Sequence, residues 1–224
     1  MGGTNMIDEA IRGKLLEAGA TVVGYAFVGG ILQDDIAHLQ TAISIGVQKN
    51  LNKSTIGLLA DLQRKASRIL KESGHRYLCI PPDSDRVKDT FVSRLYPLFA
   101  HKIAATSSGI GWIGKNGLLI NRQFGPRLSF ATVLTDARLR ADAPTEFSEC
   151  GDCTMCVDHC PSGAITGEVW SRYEPYVRLI NTDKCNSHKK TTKGFSDKPN
   201  CGLCITICPF GRRVLKDTIQ VVHT

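Results

Sequence analysis

The sequence predicts an α+β domain followed by a small cysteine-rich module. Three observations lead there. Helix and strand patterns alternate over the first 145 residues, cysteine is almost confined to the last third of the chain, and 42% hydrophobic with 22% charged residues is an ordinary globular composition. Of the nine cysteines, only Cys79 precedes residue 145, and eight fall between Cys150 and Cys208. A chain of 224 residues has room for one medium domain, 1–145, and one small one, 146–224. Arg138 to Glu149, with Pro144 and several charges, marks the boundary.

Local patterning sets each element in turn. Ile7, Ile11, Leu15 and Ala18 share one helical face, and Gly19 ends that helix. Thr21 to Val28 is rich in β-branched and aromatic residues and predicts a strand. In Thr41 to Gln48, the larger Ile43, Ile45 and Val47 alternate with Ala42, Ser44 and Gly46. This predicts a strand with one packed face and one small face that a flat ligand can approach. Ser54 is placed to cap a helix whose face is Leu59, Leu62, Ala66 and Ile69, ending near Gly74. Tyr77 to Ile80 predicts a short strand stopped by Pro81-Pro82. A helix is expected from about Pro97 to Ser107, with the proline in its first turn. Gly117 to Ile120 and Leu128 to Thr135 predict two strands joined by a turn at Phe124-Gly125-Pro126.

The cysteine spacing carries the chemistry. Cys150-x2-Cys153-x2-Cys156-x3-Cys160-Pro161 recurs in part as Cys201-x2-Cys204-x3-Cys208-Pro209. This is an internal repeat of the bacterial two-cluster ferredoxin signature, in which the fourth cysteine of each motif ligates the other cluster. Cys150, Cys153, Cys156 and Cys208 are therefore expected to share one [4Fe–4S] cluster. The other takes Cys201, Cys204 and Cys160 and needs one more thiolate. A perfect repeat would place it at Lys198, so Cys185, the nearest remaining cysteine, is assigned. Zinc also favours C-x2-C pairs, but the run ending in Cys-Pro is not a zinc-ribbon spacing. Disulfides are not expected, because the chain opens with no signal-peptide pattern and clustered thiols of an unsecreted chain point to metal or redox chemistry. Cys79, between Leu78 and Ile80, is expected to be a buried, inert thiol.

Charge and hydropathy exclude some classes. The longest uncharged stretch, Ala18 to Gln33, is too short to span a bilayer, so no membrane association and a cytoplasmic location are expected. The formal charge is +7. Two [4Fe–4S] clusters with four thiolates each would bring it to roughly +3. Basic residues gather at Arg138 and Arg140, at His188, Lys189, Lys190 and Lys193, and at Arg212 and Arg213. They read either as solvated loops or as a docking face for an acidic electron donor such as a flavodoxin or ferredoxin. A nucleic-acid surface lacks the aromatic interleaving and motif that would support it.

One further segment stands out. Gly109-x-Gly111-x-x-Gly114 satisfies the dinucleotide fingerprint, but a helix precedes it and a strand comes after, the reverse of what that fingerprint requires. Its glycines permit close backbone approach, Trp112 offers a flat face, and Lys115 and Asn116 offer polar handles. Two readings stand side by side: a tight turn around a core tryptophan, and a cradle for a large flat cofactor.

The Gly109 to Asn116 loop, the strand ending Leu134-Thr135-Asp136, the Cys150 to Pro161 motif, Asp183-x-Cys185 and the final cysteine motif occur in the order found in epoxyqueuosine reductases, which the chain resembles over roughly residues 1–211. That family is related to the reductive dehalogenases. The resemblance implies a nitroreductase-like α/β sandwich domain holding cobalamin, beside a two-cluster ferredoxin-like domain that reduces the cobalt. It makes Gly109, Gly111, Trp112, Gly114, Lys115 and Asn116, with Ala42 and Ser44, the expected cofactor-binding residues. Two departures set tRNA substrates back. Where the family carries a proton-donating acid, this chain reads Leu95-Tyr96-Pro97, and it ends at Thr224 without the helical-repeat extension. Because reductive dehalogenases use a tyrosine, Tyr96 is the catalytic candidate. The expected activity is an iron–sulfur oxidoreductase passing low-potential electrons to a corrinoid. The alternatives are a short epoxyqueuosine reductase and a corrinoid-free electron carrier.

Overall fold

The computed structural model describes residues 3–48, 55–82, 95, 98–174, 177–192 and 201–211. The chain separates into two units: Met1–Ile110 with Leu128–Thr145, and Gly111–Arg127 with Glu146–Thr224. The segment 111–127, which sequence patterning places in the first domain, thus groups with the cysteine-rich unit.

The first unit contains α1 (Gly3–Glu17), β1 (Val22–Phe27), β2 (Thr41–Gln48), α2 (Thr55–Glu72), β3 (Tyr77–Ile80), α3 (His101–Ser107) and β6 (Leu128–Thr135). The four strands form an antiparallel sheet in the order β1-β2-β6-β3. Strand alternation decides what covers each face. Ile43, Ile45 and Val47 of β2 join Ile11 and Leu15 of α1 and Leu59, Leu62, Ala66 and Leu70 of α2 in one core. Ala42 and Leu134 point the other way and pack with Phe99 and with Ala104 of α3.

Buried polar groups fix the layers. On α2, Gln63 Nε2 donates to the Ile80 and Thr132 carbonyls at 2.7 and 2.9 Å. On α3, His101 Nε2 meets the Pro81 carbonyl and Nδ1 meets Thr132 Oγ1, both at 2.8 Å. A carbonyl only accepts, so a neutral His101 carries its proton on Nε2 and accepts from Thr132 on Nδ1. Pro97 and Ser54, expected at helix starts, lie outside the described residues.

The small face of β2 is not open. Ala42 and Ser44 have no exposed surface. A Cβ at Gly24, opposite Ser44 in the register, would lie 2.7 Å from Ser108 Cβ, and one at Gly46 would lie 2.9 Å from the Phe130 ring. Small residues here let the end of α3 lie against the sheet, and Ala42 and Ser44 are covered by that packing. No helix among the described residues is long and apolar enough to cross a membrane.

The second unit contains β4 (Trp112–Ile113), β5 (Leu119–Ile120), α4 (Met155–Asp158), α5 (Thr182–Thr191) and α6 (Leu203–Thr206). β4 and β5 form a hairpin pairing Trp112 with Ile120 and Ile113 with Leu119. Its turn is closed by Gly117 N donating to the Gly114 carbonyl, with Gly117 at φ 68°, where a side chain would be strained.

Candidate iron–sulfur site

Short loops and single helical turns present the thiols. Cys153 N donates to the Cys150 carbonyl, Cys160 N to Val157, and Gly163 N to Cys160, so the first motif coils tightly around α4. Asn181 caps α5 by accepting from Lys184 N at 3.1 Å, and that helix carries Cys185. Gly202, in the left-handed region at φ 63°, turns the chain into α6 between Cys201 and Cys204.

The thiols form two groups of four. Cys150, Cys153, Cys156 and Cys208 line one recess, together with Lys115, Asn116, Ile120, Met155, Pro209 and Phe210. Burial, and then the neighbouring Cys150, Cys153 and Cys208, push the Cys156 thiol up to about 11. Burial also raises Cys204, and the thiols acting on it next are Cys185, Cys201 and Cys160. The repeat supplies seven of these thiols, and Cys185 takes the place beside Cys160, Cys201 and Cys204 where a perfect repeat would have put position 198. Cys160 goes the other way. Its burial is outweighed by hydrogen bonds from Ser162 and from the amides of Ala164, Ser162 and Ile165, which favour the thiolate. Cys79 belongs to neither group. It is half-buried rather than fully buried and lies 3.1 Å from Ser67 Oγ, and desolvation raises its thiol more than that contact lowers it.

The donor chemistry fits iron–sulfur clusters. The first recess offers four thiols and, among the described residues, no carboxylate or imidazole, the all-sulfur donor set that such clusters take. A cubane separates its four thiolates by its own width, whereas zinc would draw them to about 2.3 Å from one centre. Ligation would override the raised thiol values, since a metal takes the deprotonated form.

The Gly109 to Asn116 segment is a brace. Gly111, Trp112, Gly114, Lys115 and Asn116 are all buried, and only Gly109, in the first unit, is exposed. Trp112 is 1% exposed and packs edge-on against Phe210 at 4.9 Å between ring centroids. Lys115 Nζ donates to the Gly151 and Cys153 carbonyls at 2.8 and 3.1 Å. Asn116 Nδ2 donates to the Cys204 carbonyl at 3.1 Å, and its Oδ1 accepts from Leu118 N. The polar handles expected to hold a flat cofactor instead hold the two cluster loops, because their reach is filled by backbone carbonyls of the same unit.

Sequence reasoning missed Arg127. Its guanidinium donates to the Phe210, Ile205 and Thr206 carbonyls at 2.8, 3.2 and 3.4 Å and so ties down the chain either side of Cys208. The one available signal was a basic residue directly after Gly125-Pro126, which does not distinguish it from a surface arginine. Tyr96, the catalytic candidate, lies outside the described residues, as does Lys198.

Comparison with known proteins bears on this geometry. Residues 149–211 match the family described as 4Fe-4S double cluster binding domain. An epoxyqueuosine reductase of Atelocyanobacterium thalassa is 32% identical over 129 residues, covering 52% of this chain and 39% of that protein. A tetrachloroethene reductive dehalogenase of Desulfitobacterium hafniense is 27% identical over 198 residues, covering 81% of this chain and 32% of that protein. The chain is related to both. It carries a double [4Fe–4S] cluster-binding domain and spans about a third of the length of these curated relatives. The fold agrees. An epoxyqueuosine reductase solved with a tRNA-Tyr epoxyqueuosine-modified stem loop superposes with a TM-score of 0.66 at 18% identity, over 94% of this chain and 66% of that one. A reductive dehalogenase whose structure suggests a mechanism for B12-dependent dehalogenation gives 0.67 at 17%, over 96% and 34%.

Proposed function

We propose that this chain is an iron–sulfur oxidoreductase that passes low-potential electrons through two [4Fe–4S] clusters to a corrinoid, acting either on the corrinoid or on a small substrate. The observation that carries the electron-transfer part is the grouping of eight thiols into two sets of four, Cys150, Cys153, Cys156 and Cys208 against Cys160, Cys185, Cys201 and Cys204. Protein-bound clusters of this kind move single electrons at potentials set by charge, hydrogen bonding and exposure. A bound corrinoid would supply a cobalt centre able to carry those electrons to a substrate. Support for it comes from the B12-dependent dehalogenase of like fold. It does not come from Ala42, Ser44 or the 111–116 loop, which are buried and committed to packing and to the cluster loops. The first unit is accordingly proposed as a nitroreductase-like sandwich for the cofactor, with no contact residue assigned and Tyr96 kept as the catalytic candidate. The donor would be an acidic flavodoxin or ferredoxin meeting the basic last turn of α5, His188, Lys189 and Lys190, in the cytoplasm.

A second reading has a specific observation behind it: a structural neighbour is an epoxyqueuosine reductase bound to a tRNA stem loop. On that reading the same clusters serve reduction of a modified tRNA base. One preparation tests both. Anaerobic reconstitution should yield about eight irons and eight sulfides per chain, and stoichiometric zinc or about four irons would refute the cluster reading. Equilibrium dialysis of that protein against cobalamin at tens of micromolar should retain corrinoid with a changed spectrum. Intact clusters with no retained corrinoid leave the electron carrier, and tight binding of the modified stem loop favours the tRNA reading.

A further inference from the structure

We propose that Lys115 is a positioning residue that raises the reduction potential of the cluster held by Cys150, Cys153, Cys156 and Cys208, by fixing a buried positive charge beside it. The inference rests on the cluster reading above. Lys115 is 6% exposed and lines the recess formed by those four cysteines. Its ammonium has three donors, and two of them are spent on the Gly151 and Cys153 carbonyls, within the cluster's own loop. Among the described residues no carboxylate pairs with it.

Asn116 supplies the internal comparison. The next residue in the chain ties the second cluster's loop through the Cys204 carbonyl, and it does so with a neutral amide. Strapping a loop therefore needs a donor but no charge. A buried ammonium facing only neutral carbonyls is costly, and a nearby anion offsets that cost. The cluster provides one: with four thiolates it carries about −2 oxidised and about −3 after one electron enters. Attraction to the ammonium is greater in the reduced form, so the charge favours reduction. Little solvent reaches Lys115 to screen it, unlike the exposed Lys184 next to Cys185 on α5. Arg127, 9% exposed and bonded to Phe210, Ile205 and Thr206, adds a second cation near Cys208, so Lys115 accounts for part of the local field.

The test is an EPR-monitored redox titration of the anaerobically reconstituted full chain, in the wild type, Lys115→Gln and Lys115→Arg. Repeating it in a Cys201→Ser, Cys204→Ser background isolates the first cluster. Lys115→Gln should lower the reduced-to-oxidised ratio of that cluster about tenfold at a fixed potential, which is about 59 mV for a one-electron couple. It should leave the second cluster unmoved, and Lys115→Arg should stay near wild type. An unchanged midpoint in Lys115→Gln with both clusters loaded overturns the proposal, as does an equal shift in Lys115→Arg. If Lys115→Gln holds no cluster, Asn116→Lys decides: a raised potential at the second cluster supports the proposal and an unchanged one overturns it. A wild-type chain that never loads clusters refutes the cluster reading itself, which iron analysis reports separately.

Discussion

Replacing Gly111 with alanine should dismantle the brace beneath both cluster loops. A Cβ built at 111 would lie 2.9 Å from the Ile120 carbonyl carbon and 3.3 Å from Asn121 Cα, and closer still to the Ile120 oxygen. Carbon atoms pack best at about 3.5–4.0 Å, so the carbonyl carbon alone makes the β5 backbone retreat by at least roughly 0.6–1.1 Å, and the oxygen asks for more. The obstacle is main chain on the strand paired to β4, and it has no rotamer to change. Overpacking of this kind costs about 1–3 kcal/mol. Moving β4 also displaces Lys115 and Asn116 from the carbonyls of Gly151, Cys153 and Cys204. At about 3 kcal/mol, the melting temperature should fall by ~6–12 °C for a chain of this size. Thermal unfolding monitored by visible circular dichroism of the clusters, with iron counted beforehand, reads both effects. Gly13→Ala is the control: nothing lies within 4 Å of its built Cβ in the middle of α1, so it should gain about 0.5–1 kcal/mol from helix propensity. A Gly111→Ala protein with full iron and a melting point within about 1 °C of wild type would refute the argument, since a shift of that size corresponds to under 1 kcal/mol.

Cys185→Ser should cost one cluster and leave about four irons on Cys150, Cys153, Cys156 and Cys208, whereas Cys79→Ser should leave iron content unchanged. Iron analysis with EPR checks both, and two intact clusters in Cys185→Ser would remove Cys185 from the ligand set. In the first unit, burial of Asp136 is outweighed by hydrogen bonds from the Arg76 amide and guanidinium, at 3.0 and 2.8 Å, and from His75, which together hold its carboxyl below the usual 3.8. The unfolded chain then takes up the proton first as pH falls, so this contribution is complete above 3.8 and is lost as pH drops through the lowered value. Asp136→Asn should therefore lose about 1 kcal/mol near neutrality, because Arg76 is exposed and the pair is screened. The deficit should shrink in acid, and urea unfolding by far-ultraviolet circular dichroism across pH should show it.

What sequence alone determined rests on local rules. Alternation in Thr41–Gln48, the Pro81-Pro82 stop after Tyr77–Ile80 and the turn signal before Leu128–Thr135 place β2, β3 and β6 over the ranges that patterning predicts, because these signals are written into neighbouring residues. The repeat of cysteine spacings, with its exchanged fourth ligand, sorts seven of the eight thiols, since cluster geometry acts directly on spacing, and Cys185 joins them only as the remaining nearby cysteine. Tertiary structure decided what the remaining small and polar residues face. Ala42 and Ser44 read as room for a ligand, but a small side chain marks close approach without naming what approaches, and here it is the end of α3. For Gly111, Lys115 and Asn116 the cradle and the tight turn around Trp112 stand side by side for the same reason. Their partners, Ile120, Gly151, Cys153 and Cys204, are set by long-range packing of the hairpin in the cluster unit, which no local pattern encodes.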